Sequence, residues 1–316
     1  ACGSKPAAEA APAAPAAEAA PAAEAAPAAE APAAEASGDL TVGVILKTLS
    51  SEYWGYVAAG VNAAGQDLGV KIELQGPPTE QSYDEQNAMI ENMLGSGVDA
   101  FVISPLQTDS VGSVIGEVNI PVLTVDTDAE IAGKLSFVGT GNENAAYEGG
   151  VYAAKKAGAG AKAVIIGGDQ GNGTSDAREA GFKKGLEENG IEIVGVQYAQ
   201  SNPDTAANVM ENLLTANNND IQIVCCHNDD TAAGAANACK QAGVENVIIV
   251  GFDGCQSGVQ NIIDGVITAT CAQSAYDMGY KSVEAAVKAI KGETLDTFID
   301  TGCTVVTPET AAEYME

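Results

Sequence analysis

Histidine, tryptophan and arginine each occur once in this 316-residue chain, as His227, Trp54 and Arg178. A single imidazole leaves hydrolytic triads and histidine-rich metal centres almost no material. His227 itself sits beside Asn228 at the end of an apolar run and reads as hydrogen-bonded structure rather than as a catalyst. Phosphate loops ending in Gly-Lys-Ser/Thr and Gly-x-Ser-x-Gly elbows are absent. The polar turn "NNND" at 217 to 220 lacks the alternating acids and distal glutamate of a calcium loop, so no metal and no cofactor is expected. Bases are scarce, with 14 Lys and Arg against 43 Asp and Glu and a formal net charge of -29. Such a field repels nucleic acid phosphates and anionic headgroups. No run approaches the ~20 apolar residues of a membrane-spanning helix.

Seven cysteines are an odd number without zinc-type spacing. Cys225, Cys226, Cys239, Cys255, Cys271 and Cys303 fall in the second half, several inside apolar runs, and read as small hydrophobes. Cys2 is different. It opens the chain in "ACGS", which resembles the end of a bacterial lipobox, and an acylated Cys2 would anchor the protein to a membrane. Residues 3 to 36 follow with an Ala-Ala-Pro-Ala-Ala-Glu theme that holds six of the twelve prolines. With no aromatic or β-branched residue to bury, residues 1–37 are expected to form a disordered tether.

From residue 40 onward, short β-branched runs alternate with amphipathic helical patterns. The runs are 41–46, 70–74, 100–104, 121–125, 163–167, 191–196, 221–226, 246–252 and 267–272. Helix-length stretches cover 53–68, 84–96, 143–157, 175–189, 204–216 and 230–242. Alternation of this kind predicts an α/β fold with parallel sheets covered by helices on both faces. Two similar sets of units, the second opening near Gly141, predict two doubly wound lobes. Open parallel sheets bind ligands beyond the carboxyl ends of their strands. Lys47, Ser104, Asp126, Asn228, Asp253 and Gln273 all fall at or just past such ends.

Several residues invite two readings. Asp126 and Asp253 end strongly apolar strands, "VLTVD" and "VIIVGFD", and each is either a helix cap or turn former or an acceptor for the hydroxyls of a polyol. Arg178 follows a glycine-rich loop near a helix start. It is either one half of a surface ion pair or a planar forked donor needed at one place. Tyr53 and Trp54 follow the first strand in "LKTLSSEYW", where two aromatic rings at a strand-to-helix junction can offer a flat apolar face to a ring. "FVGTGNEN" lacks the third glycine of a dinucleotide fingerprint and is read instead as a lobe-to-lobe crossing with a flexible backbone.

Taken with their order, "LKTLSSEYW", "DAFVISP", "IPVLTVD", "GTSDAREAGF", "NVMENLLTA", "HNDDTAAGA", "VIIVGFDG" and "ITATCAQ" resemble the bacterial sugar-binding proteins of ABC transporters. The likeness is to the ribose and allose binders, type I periplasmic binding proteins, over nearly everything after residue 40. It implies two lobes joined by a three-crossing hinge, 38–140 plus 274–301 and 141–273 plus 302–316. It also implies a monomer that closes on a monosaccharide or cyclic polyol without turnover and presents it to a membrane permease. By the same resemblance Tyr53 and Trp54 pack on the sugar, Lys47 donates and Asp126 accepts, while Arg178, Asn228, Asp253 and Gln273 reach from the second lobe and hinge. Ser51, Ser104 and Thr127 stand where ribose binders carry Asn, Asn and Arg. Ser201 replaces a further aromatic, which favours a pyranose or polyol over ribose. Lac-type repressors share several motifs, but residues 1–36 hold no basic helix-turn-helix. "GPPTE" and "DTD" carry a fainter likeness to binders of a furanosyl autoinducer.

Overall fold

The computed structural model describes residues 40–315. Cys2 and the Ala/Pro/Glu segment lie outside the described residues. The elements follow in chain order as β1 (Thr41–Ile45), α1 (Glu52–Leu68), β2 (Lys71–Gln75), α2 (Tyr83–Gly95), β3 (Ala100–Ile103), α3 (Val111–Ile115), β4 (Val122–Val125), β5 (Ser136–Gly139) and α4 (Asn142–Ala157). They continue with β6 (Lys162–Gly167), α5 (Gly173–Glu187), β7 (Glu192–Tyr198), α6 (Pro203–Ala216), β8 (Ile223–Cys226), α7 (Asp229–Gln241), β9 (Ile248–Asp253), α8 (Gln256–Ile263), β10 (Ala269–Gln273), α9 (Ala275–Ile290), β11 (Phe298–Asp300) and β12 (Cys303–Val306).

Two six-stranded sheets result, ordered β11-β5-β4-β3-β1-β2 and β12-β10-β9-β8-β6-β7. The order is the same in both, so the repetition visible in the sequence is a duplication of topology. Each sheet buries both faces, which is why its central strands are continuous apolar runs rather than alternating ones. Val42 and Val44 face one core and Ile45 and Phe101 the other in the first lobe; Val164 and Ile165 divide likewise in the second. One edge departs from the expected all-parallel arrangement: β12 runs antiparallel to β10. The chain passes between the sheets three times, after β5, after β10 and after β11.

Helices α1 and α9 cover one face of the first sheet in direct backbone contact. A Cβ on Gly60 would lie 2.0 Å from the Tyr276 carbonyl oxygen, and one on Gly279 would lie 2.0 Å from that of Val57. No other residue tolerates that approach. At the first crossing, glycine has a different role from the expected one. Gly141 has φ -69 and open space around it, whereas Gly139 leaves room for the Phe137 ring, 2.5 Å from a built Cβ. Close packing at Gly139, not backbone freedom, accounts for this segment.

The helix starts that face the cleft are capped by their own sequence. Ser51 accepts from the Trp54 amide, Asn172 from those of Thr174 and Ser175, and Asn202 from that of Thr205, with Pro203 opening α6. Asn228 forms a reciprocal capping box with Thr231. These caps satisfy amides that a helix start leaves unpaired and fix where the cleft residues begin. Cys225, Cys226, Cys239, Cys255 and Cys271 are buried free thiols, and Cys303 is half-buried. Burial pushes the Cys239 thiol up to about 11, consistent with an inert packing role.

Candidate functional site

The carboxyl ends of the two sheets face each other, and residues from both lobes enclose two adjoining chambers. The inner one is lined by Lys47, Tyr53, Trp54, Glu80, Asp126 and Thr174, together with Arg178, Ser201, His227, Asn228 and Asp253. The outer one shares Tyr53, Trp54, Glu80, Ser201, Asn228 and Asp253 and opens toward solvent past Ser51, Gln81, Asp230 and Ser257. In the closed form the inner chamber is small, about 20 Å³, and the outer one is larger, about 210 Å³.

Tyr53 and Trp54 meet edge to face, with ring centroids 5.2 Å apart. Trp54 is 3% exposed and packs in the core of the first lobe while walling both chambers. Its Nε1 donates to Glu80 at 2.9 Å. The Tyr53 hydroxyl donates to Asp126 Oδ1 at 2.7 Å, and Thr127 Oγ1 donates to the other oxygen at 2.8 Å. Asp126 therefore has protein donors on both oxygens, yet a carboxylate accepts about four hydrogen bonds and capacity remains. Burial and the negative charge of Asp126 push the Tyr53 phenol well above its ordinary range, so it stays a donor.

On the other side, Arg178 is 4% exposed and uses its fork. Nε donates to Asn142 Oδ1 and Nη1 to the His227 carbonyl, both at 2.9 Å. The guanidinium lies 3.7 Å over the Phe252 ring and 3.7 Å from Asp253 Oδ1. Arg178 is thus an interior donor of the cleft and not half of a surface ion pair. Burial pushes the Asp253 carboxyl well above its usual range, and Arg178 opposes that shift. Gln273 Nε2 donates to Asp253 at 2.8 Å. Neither Asp126 nor Asp253 caps a helix. Both hold left-handed backbone, φ 63 and φ 112. A non-glycine residue pays ~1–3 kcal/mol for such geometry, and residues so held cluster at ligand sites.

Three sequence candidates do not reach the chambers. Ser104 is fully buried with its hydroxyl unpartnered, and its carbonyl accepts from Gln86. Thr127 stands behind Asp126, and Gln273 is occupied by Asp253 and by Thr140, which donates to it at 2.7 Å. Three residues passed over by the sequence reading do line the inner chamber: Glu80, Thr174 and His227. Glu80 sits in the loop after β2, so the same strand-end rule that selected Lys47 and Asp126 would have found it.

The lobes are closed on one another. Glu52 of α1 accepts from both the backbone N–H and the hydroxyl of Ser257. Gln81 donates to the Gln200 carbonyl at 3.0 Å, Asn172 to that of Leu106 at 3.3 Å, and Thr174 Oγ1 to Thr127 Oγ1 at 3.1 Å. Among the described residues no cluster of three His, Cys, Asp or Glu could hold a metal ion, and no helix is long and apolar enough to cross a membrane.

Two topologically repeated lobes closed over a chamber of fixed donors and acceptors match a known family: residues 42–294 fit the periplasmic binding protein domain. The chain belongs to that family. It is similar to the ribose import binding protein of Escherichia coli K12, 32% identical over 83% of this chain and 88% of that one. Two solved structures are also alike. An ABC transporter solute-binding protein from Agrobacterium vitis with bound D-fucose is 32% identical, with TM-score 0.80 over 85% of this chain and 96% of that one. One from Actinobacillus succinogenes with bound D-allose is 25% identical, with TM-score 0.80 over 87% and 100%. The resemblance to ribose and allose binders read from the motifs holds, as does the two-lobed fold. As a member of the periplasmic binding protein family, the chain shares its frame with relatives that carry solutes for import.

Proposed function

We propose that this protein is a lipid-anchored extracytoplasmic receptor that captures a monosaccharide or cyclic polyol between its lobes and delivers it to an ABC importer, without turnover. The observation that carries the reading is the inner chamber itself. Lys47 and Arg178 donate, Asp126, Asp253 and Glu80 accept, and Tyr53 and Trp54 present aromatic surface, all around one chamber fed by both lobes. Hydroxyl-rich rings need that mixture, because each hydroxyl both donates and accepts while the C–H faces are apolar.

Contacts divided between lobes make closure ligand-dependent, since only the closed form engages both sets. The lobes comprise 38–140 plus 274–301 and 141–273 plus 302–316, and a docked permease reads their closure. Serine at 51 and 201 leaves space that suits a pyranose or cyclitol. Anchoring through acylated Cys2 completes the proposal, and a Cys2→Ser variant staying with the membrane fraction would refute that part.

A thermal-shift panel of D-ribose, D-allose, D-galactose and myo-inositol tests the ligand class. Binding of one at 100 times its dissociation constant raises stability by about 2.7 kcal/mol. No shift with any of them, nor with other monosaccharides and polyols, would overturn the reading.

A further inference from the structure

His227 directly follows β8, and its backbone is fully used. The N–H donates to the Ile166 carbonyl at 2.8 Å, and the carbonyl accepts from Arg178. The side chain is not used in this way. The ring is 7% exposed, lines the inner chamber, and has no protein hydrogen-bond partner at Nδ1. Two other buried side-chain atoms share that condition among the described residues, Ser104 Oγ and Thr301 Oγ1, and neither residue lines the chamber.

The ring is also seated. A Cβ on Gly168 would fall within 3.0 Å of its Cδ2, Nε2 and Cε1 atoms, so the bare backbone at Gly168 is the slot that receives it. Burial, together with the nearby Arg178 and Lys47 charges, holds the imidazole well below its ordinary range and keeps it neutral. A neutral imidazole carries one donor and one acceptor. The cations beside it are one-sided: Lys47 and Arg178 only donate. Like Thr174, Ser201 and Asn228 in the same lining, His227 can match a hydroxyl by either role, and its buried Nδ1 has no protein partner. An unpaired buried nitrogen is costly, and a partner entering the chamber removes that cost.

We propose that His227 is a specificity-determining residue of the cleft, its Nδ1 sharing a hydrogen bond with one hydroxyl of the bound polyol. This rests on the ligand class proposed above. The test takes whichever of D-ribose, D-allose, D-galactose and myo-inositol binds, and measures its affinity and that of its monodeoxy series by calorimetry. Wild type, His227→Phe and His227→Asn are compared. His227→Phe should lose about tenfold for the parent sugar, the size of one hydrogen bond. It should lose nothing for the single deoxy analogue that lacks the hydroxyl concerned. His227→Asn, whose amide can occupy the Nδ1 position, should recover most of the loss.

An equal loss across the whole series, or full retained affinity, overturns the assignment while leaving the sugar reading intact. If no monosaccharide or polyol binds wild type, both fall. Should His227→Phe fail to fold, His227→Leu decides. A changed order of preference among the deoxy analogues supports the assignment, and an unchanged order overturns it.

Discussion

Trp54 and Glu80 are joined by an indole N–H to carboxylate hydrogen bond of 2.9 Å, which ties a ring of the first lobe's core to the loop between β2 and α2. The chamber wall and the core are therefore the same side chain. Ligand affinity and folding stability are coupled there, and a single truncation reads out both.

Trp54→Ala should accordingly cost ~3–5 kcal/mol of stability, as large-to-small core changes do, besides weakening sugar binding at least tenfold. Its 3% exposure places the indole among the core residues of the first lobe. Glu80→Ala separates the two effects, with a stability change under ~1 kcal/mol expected at this half-buried loop position and a several-fold loss of affinity. Urea titration and calorimetry on both variants check this. Unchanged affinity in Trp54→Ala would remove the indole from the site.

Arg178→Lys should be almost as damaging as Arg178→Ala. A lysine ammonium cannot reach Asn142, the His227 carbonyl and Asp253 together, nor lie flat over Phe252. Each lost hydrogen bond to a charged group costs ~1.5–3 kcal/mol, so at least a tenfold loss of affinity and a lower melting temperature are expected. Wild-type affinity in the lysine variant would show that the fork is unnecessary.

Ser257→Ala removes the hydroxyl that Glu52 accepts across the lobe interface while leaving the inner chamber untouched. Its effect should fall on ligand dissociation, a several-fold faster release with little change in association, because the contact exists only after closure. Stopped-flow fluorescence of Trp54 gives both rates. An association defect of equal size would mean the contact acts before closure.

Asp229 gives a pH signature. It is 4% exposed and accepts from the backbone N–H groups of Gly254 and Cys255 and from Thr270 Oγ1, and burial raises its carboxyl to about 7. A carboxyl raised above its unfolded value binds more protons when folded. Its contribution is fully present below about pH 4 and is lost as pH rises through about 7. Asp229→Asn keeps an acceptor for the amides without the charge. The stability difference between wild type and variant should move in the variant's favour from pH 4 to pH 8. Parallel stability curves over that range would contradict the assignment.

Much of the frame was legible because continuous β-branched runs alternating with helical periods admit few architectures. Strand β12 was not, since "CTVV" is too short to rise above its surroundings, and its antiparallel direction depends on a crossing that the local pattern does not encode. Strand ends pointed to Lys47, Asp126, Asn228 and Asp253, and these residues line the chambers. The same rule pointed to Ser104 and Gln273, which do not line the chambers, because being at a strand end does not determine which way a side chain turns. Ser104 turns inward, and Gln273 braces Asp253. His227 was read as hydrogen-bonded structure because isolated histidines are usually satisfied, and only coordinates reveal an orphan nitrogen.

The interleaving of the two sheets constrains how the molecule can be made. Strand β11, which completes the first sheet beside β5, comes from residues 298–300, after every parallel strand of the second sheet. A chain emerging amino end first therefore cannot finish its first half until almost all of the second has appeared. Such late completion means that no contiguous gene fragment encodes either half intact.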